Sequence, residues 1–98
     1  MQARSEVQSL LRGLKVIEVI NERPGARTAE IAVRCGIPRT SAHRMLTTLV
    51  KSGFVYRDDA TGGYFAAHGV LRLSRGFDPA AQLTELARGQ LAAIAPQV

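Results

Sequence analysis

The sequence predicts a mainly α domain with one small β-hairpin, a winged helix-turn-helix followed by a further helix. Three observations carry that expectation. Apolar residues recur at helical spacing in the segments ahead of Gly53, Gly36 and Pro38 bracket a tight turn between two of those segments, and two short aromatic and β-branched runs flank Asp58-Asp59-Ala60-Thr61-Gly62-Gly63. With 98 residues and 46% hydrophobic content the chain can bury one modest core, and the low aromatic share with no Trp favours a helical interior over a β-sandwich.

The first helix is expected over about residues 7–21, where Val7, Leu10, Leu11, Leu14, Ile17 and Ile20 fall on one face. Gly13 inside it costs roughly 1 kcal/mol relative to Ala, which suggests close approach of another backbone there. Pro24-Gly25 ends the helix. Thr28 is the expected N-cap of a short second helix that carries Glu30 in its first turn and runs through Ile31, Ala32 and Cys35 to a left-handed Gly36. Pro38, at the first helical position, opens a third helix to about residue 52, with Ala42, Met45, Leu46, Leu49 and Val50 as its buried stripe.

Phe54-Val55-Tyr56-Arg57 and Tyr64-Phe65-Ala66 then read as a hairpin over residues 54–66, and Val70-Leu71-Arg72-Leu73 as a short helix before Gly76. Asp58 and Asp59 weaken any anion contact at the hairpin tip. Asp78 is placed to cap a last helix with Pro79 at its first position, Leu83, Ala87, Leu91 and Ile94 on one side, and Pro96 at its end.

Charge narrows the function. Residues 1–57 hold ten basic and four acidic groups, whereas residues 58–98 hold three and four. From Ile31 to Arg57 the chain carries Arg34, Arg39, Arg44, Lys51 and Arg57 with no Asp or Glu. Eleven of the thirteen basic residues are Arg, whose planar fork suits bidentate contact with phosphate or guanine. A basic segment wrapped around a helix-turn-helix is suited to lie against phosphates and read base edges beside them.

Other classes find little support. Cys35 is the only cysteine, and His43 and His68 the only histidines, so neither an internal disulfide nor a structural zinc is expected. No paired carboxylates, nucleophile with base or phosphate loop points to an enzyme, and no cofactor is expected. Nothing approaches the roughly 20 apolar residues of a membrane span, and Met-Gln-Ala-Arg-Ser-Glu has no apolar run behind it, so a cytoplasmic protein is expected.

Ile31, Ala32, Cys35, Ile37, Ala42 and Met45 are the apolar positions that interlock when two short helices cross around a tight turn. The face left over is Pro38, Arg39, Thr40, Ser41, His43, Arg44, Thr47 and Thr48. Arg39 and Arg44 are the leading base readers, Thr40 and Ser41 candidates for a phosphate or a thymine methyl, and His43 either a donor to the nucleic acid or a bystander. Lys51 and Arg57 are candidate phosphate contacts, as are Thr28 at the preceding helix start and Thr61 on the wing. A winged helix used for protein interaction is the alternative. It would expose an apolar patch, not Arg and Thr, on the third helix.

The segment from about residue 9 to 77, roughly seven tenths of the chain, resembles the DNA-binding domain of the isocitrate-lyase-regulator (IclR) family of bacterial transcription factors. The matching stretches are Arg12-Gly13-Leu14, Ile31-Ala32, Gly36-Ile37-Pro38-Arg39-Thr40-Ser41, His43-Arg44-Met45-Leu46, Gly53-Phe54-Val55 and Leu71-Arg72-Leu73-Ser74-Arg75-Gly76-Phe77. The resemblance implies a DNA-binding domain over residues 1–77 and a linker helix over 78–98. That linker would lead to a C-terminal effector domain, absent from this chain, that binds a small metabolite. It also implies a homodimer on palindromic double-stranded DNA, with Leu10, Leu14 and the last helix as candidates for subunit contact, and a likeness to regulators of aromatic-acid breakdown.

Overall fold

The computed structural model describes residues 5–94, with side chains to residue 89. The order is α1 (Gln8–Glu22), α2 (Thr28–Cys35), α3 (Arg39–Lys51), β1 (Val55–Arg57), β2 (Tyr64–Ala66), α4 (Gly69–Leu73) and α5 (Pro79–Ile94). The two strands form an antiparallel hairpin in the register Val55↔Ala66, Tyr56↔Phe65, Arg57↔Tyr64. The Tyr56 and Phe65 rings, directly opposite, stack with centroids 5.3 Å apart.

The core forms where α1, α2, α3 and the hairpin meet. Val16, Val19 and Ile20 of α1, Ile31 of α2, Leu46 of α3, Val55 of β1 and Tyr64 of β2 are all buried in it. Cys35, Ile37, Met45, Leu49 and Phe54 pack around them. Each fully buried Val, Leu or Ile contributes about 1.5–3 kcal/mol relative to exposure.

The α2–α3 turn follows from Gly36. Its φ of +67° is left-handed, its N–H donates to the Val33 carbonyl at 3.2 Å, and the Ile37 N–H donates to the Ala32 carbonyl at 3.1 Å. This paired closure satisfies the last carbonyls of α2 and drops Ile37 onto the core. The same pattern ends α3, where Gly53 donates to Val50 and Phe54 to Leu49.

Several sequence expectations are corrected. The N-cap of α2 is Arg27, in extended geometry, and Thr28 is the first helical residue. Pro38 is likewise the N-cap of α3, because its ψ of 149° is extended and its carbonyl accepts the first helical bond, from the Ala42 N–H. The buried face of α1 is Val16, Val19 and Ile20, with Leu10, Leu11 and Leu14 exposed. Gly13 meets no close neighbour: a Cβ there would have nothing within 4 Å. Val50 is 39% exposed and lies outside the buried stripe of α3.

A contact with no periodic signal ties the hairpin to the helices. Ala26 bridges Tyr64, with the Tyr64 N–H donating to the Ala26 carbonyl at 2.9 Å and the Gly25 N–H to the Tyr64 carbonyl at 2.8 Å. Gly63 allows the approach, since a Cβ at that position would run into the Gly25 carbonyl. On the other side, Gly69 donates to the Gly53 carbonyl and the Arg72 guanidinium lies 5.5 Å from the centre of the Phe54 ring, seating α4.

Asp78 caps α5 as expected, its Oδ1 accepting from the Ala80 and Ala81 N–H groups at 3.0 and 3.3 Å. Leu83 and Leu86 on α5 are exposed. The side chains of Leu91 and Ile94, and the expected stop at Pro96, lie outside the described residues.

Candidate nucleic-acid interface

α3 buries Ala42 and Leu46 and turns its other face outward, because apolar residues recur on one side of the helix and polar ones occupy the rest. Arg39, Thr40, His43, Arg44, Thr47, Thr48 and Lys51 are exposed, as is Pro38 ahead of them, and Ser41 is half-buried. The first turn holds Arg39 and no acid, and no side chain caps it. A cation at a helix N-terminus opposes the dipole, an effect of about 0.3–1 kcal/mol, so helix stability does not explain Arg39. Uncapped N–H groups and an adjacent guanidinium together suit an anion.

The helix forms a ridge between two grooves. On the hairpin side, a cleft of about 640 Å³ is lined by Arg27, Thr28 and Ala29 at the start of α2, by Arg39, His43, Thr47, Val50 and Lys51 of α3, and by Arg57, Gly62 and Tyr64 of the hairpin. On the α1 side, a groove of about 720 Å³ is bounded by Ser9 and Gly13 and by Ser41, Arg44 and Thr48. Arg39 and Arg44 also line a hollow of about 430 Å³ with Thr28, Thr40 and His43. The structure thus gathers Thr28, Arg39, Lys51 and Arg57 on one flank of the ridge and Ser41, Arg44 and Thr48 on the other, with His43 and Thr47 on the crest, lining both grooves.

Thr61 is placed differently. Its hydroxyl donates to Asp58 Oδ2 and accepts from the Gly63 N–H, both at 3.1 Å, so it holds the hairpin turn together from within. Asp58 Oδ1 accepts from the Ala60 N–H in the same turn. The hydroxyl of Thr48 donates to the Arg44 carbonyl at 3.0 Å while its side chain stays exposed.

The ion pairs of the described residues leave the α3 cations unneutralised. Arg23 and Arg34 both donate to Glu30, at 3.0 and 3.1 Å, Arg57 pairs with Asp59 at 2.9 Å, and Arg88 with Glu85 at 2.7 Å. Arg39, Arg44 and Lys51 form none. Arg34, part of the acid-free run in sequence, is therefore matched by Glu30 across one helical turn.

The Arg34 and Arg23 guanidiniums hold the Glu30 carboxyl below its ordinary value of 4.5. Because the folded value is the lower one, this contribution to stability is complete above pH 4.5 and disappears as the pH falls through the folded value. Thermal melts should show the gap between wild type and Glu30→Gln closing as the solution is acidified below pH 4.5; a gap independent of pH would contradict it. Burial pushes the Cys35 thiol up, in keeping with a small apolar side chain packed on the core.

Arg27 is the cation that sequence reasoning missed. Glu30 interrupts the acid-free run and separates Arg27 from the basic segment in sequence, yet its carboxylate is taken up by Arg23 and Arg34. A basic residue just before the helix that precedes the Gly36 turn was the available signal.

Two crossing helices joined at Gly36, a cationic ridge on the second, and a hairpin closing one flank define a winged helix-turn-helix. Residues 9–59 match the IclR helix-turn-helix domain, and the chain belongs to that family. It is 46% identical over 54 residues to the transcriptional repressor IclR of Escherichia coli, covering 54% of this chain and 20% of that protein. It is 47% identical over 51 residues to the acetate operon repressor of Salmonella typhimurium, covering 51% and 19%. A crystal structure of an IclR-family transcriptional regulator from Brucella abortus superposes with a TM-score of 0.67 and 33% identity over 74% of this chain and 28% of that one. The chain therefore spans about a fifth of the length of these curated relatives.

Proposed function

We propose that this chain is the DNA-binding part of a transcriptional regulator, with α3 lying in the major groove of double-stranded DNA and the hairpin beside the flanking backbone. The observation that carries this reading is the exposed ridge of α3, on which Arg39, Arg44 and Lys51 stand without an ionic partner among the described residues. Family membership and the repressor names of its relatives support it.

In this reading Arg39 and Arg44 grip base edges, with Thr40, Ser41, His43, Thr47 and Thr48 beside them, while Thr28, Lys51 and Arg57 meet phosphates. The regulator acts in the cytoplasm as a homodimer on a palindromic operator, with half-sites centred about 10 base pairs apart or a multiple of that. Residues 78–98 serve as the linker to an effector-binding domain, where a small molecule sets the response. Among the described residues no helix is long and apolar enough to cross a membrane.

A salt titration tests the proposal. Affinity for a duplex enriched from a random pool by this chain should fall steeply as salt rises, with log K dropping by about 0.9 per neutralised phosphate for each decade of salt. Duplex binding insensitive to salt, or none at all, would overturn it and favour docking on a protein through an apolar surface.

A further inference from the structure

Above Gly62, in the wall of the hairpin-side cleft, two guanidiniums converge from different elements. A Cβ built on Gly62 would lie 3.5 Å from Nη2 of Arg57 and 3.6 Å from Nε of Arg27. Arg57 belongs to β1 and Arg27 is the N-cap of α2, so the Tyr64–Ala26 bridge that docks the hairpin also brings these cations to one place. Like charges gathered in a small space repel unless an anion sits between them. The acids nearest in sequence are largely committed elsewhere: Glu30 to Arg23 and Arg34, Asp58 to its own turn. Asp59 reaches Arg57 Nη1 at 2.9 Å from a side chain that is 96% exposed, and Arg27 has no ionic partner among the described residues.

We infer that Arg27 and Arg57 form a two-armed clamp on a single phosphodiester group of duplex DNA, and that Asp59 holds the Arg57 arm until the phosphate displaces it. The inference deepens the DNA-binding reading and rests on it. Two planar forks carried by different elements can bond different oxygens of one phosphate, a geometry that favours Arg over Lys. Gly62, at a φ of +79°, puts no side chain of its own between the two guanidiniums, and the uncapped start of α2 at Thr28 and Ala29 lines the same cleft. An exposed ion pair such as Arg57–Asp59 is weakly held, so its exchange for phosphate is cheap. The clamp carries no sequence information. It fixes how far along the backbone α3 is seated.

The experiment is a double-mutant cycle on salt dependence. Wild type, Arg27→Ala, Arg57→Ala and the double variant are titrated by fluorescence anisotropy against the enriched duplex and a scrambled one, after thermal melts establish that all four are folded. Both arms on one phosphate predict that the double variant lowers the salt slope by about 1, with equal weakening on both duplexes. A decrease of about 2 would mean two separate phosphates, and no decrease would mean no contact; either overturns the clamp. Asp59→Asn should tighten binding to both duplexes, and unchanged or weaker binding would remove Asp59 from the scheme. Potassium phosphate should compete no better than potassium chloride at matched ionic strength. Strong preferential competition in wild type that is absent from the double variant would reassign the site to free phosphate. Wild type that binds no duplex would sink the underlying function, whereas salt-dependent wild-type binding with either wrong slope sinks the clamp alone.

Discussion

Arg39→Ala and Arg44→Ala should each flatten the preference for one part of the binding site while leaving general attraction to DNA largely intact. A bidentate arginine–guanine contact supplies about 1–3 kcal/mol of discrimination, roughly five- to 150-fold between the right and wrong base pair. Arg39 alone of the two lines the hairpin-side cleft and Arg44 alone the α1-side groove, although both border the hollow at Thr40. Their losses should consequently map to different base pairs. Competition against single-base variants of the enriched duplex reads this directly, and preferences unchanged in both variants would remove these arginines as base readers. Arg→Lys at either position should lower discrimination while keeping most of the salt dependence, because the charge remains and the two-donor fork is lost.

Leu46→Ala should cost about 2–5 kcal/mol, a large share of the roughly 5–15 kcal/mol by which domains of this size are stable. Leu46 is 0% exposed and packs among α1, α2 and the hairpin, so the cavity left behind has little room to collapse. A domain of this length shifts its melting temperature by about 4–8 °C per kcal/mol, which makes the change large in a simple thermal melt. Val50→Ala one turn later is the control. With 39% of its surface exposed, Val50 should tolerate truncation with a far smaller change, and equal losses at both positions would contradict the core as described.

Much of the fold was legible because its signals are local. Gly36, Pro38 and the interlocking Ile31, Ala32, Ile37 and Ala42 act within a few residues of each other, and the hairpin announces itself by alternating aromatic runs around Gly62-Gly63. The phase of α1 was not legible. Leu10, Leu11 and Leu14 form one apolar stripe and Val16, Val19 and Ile20 another, and periodicity alone does not say which one a neighbour covers. Pro38 fits either the cap or the first turn by its φ; only its ψ distinguishes them.

The candidate site divides in the same way. The cationic face of α3 followed from subtracting the buried stripe, and the structure leaves those side chains exposed. Arg27 escaped because its neighbours in space, Arg57 and Gly62, are brought to it by one pair of backbone hydrogen bonds at Tyr64. Thr61 reads from the sequence as a wing contact, and its side chain is exposed, while its hydroxyl bonds Asp58 and the Gly63 N–H within the turn. Hydrogen-bond bookkeeping of that kind needs coordinates.

Swapping hairpins among members of this family is an obvious way to re-engineer them, and the Ala26–Tyr64 rung sets the terms. The strand pair takes its pose from the connection between the first two helices, so a transplanted hairpin that leaves residues 23–27 behind would arrive with the wrong tilt. Chimeras should exchange both segments as one cassette, with Gly25 and Gly63 travelling together.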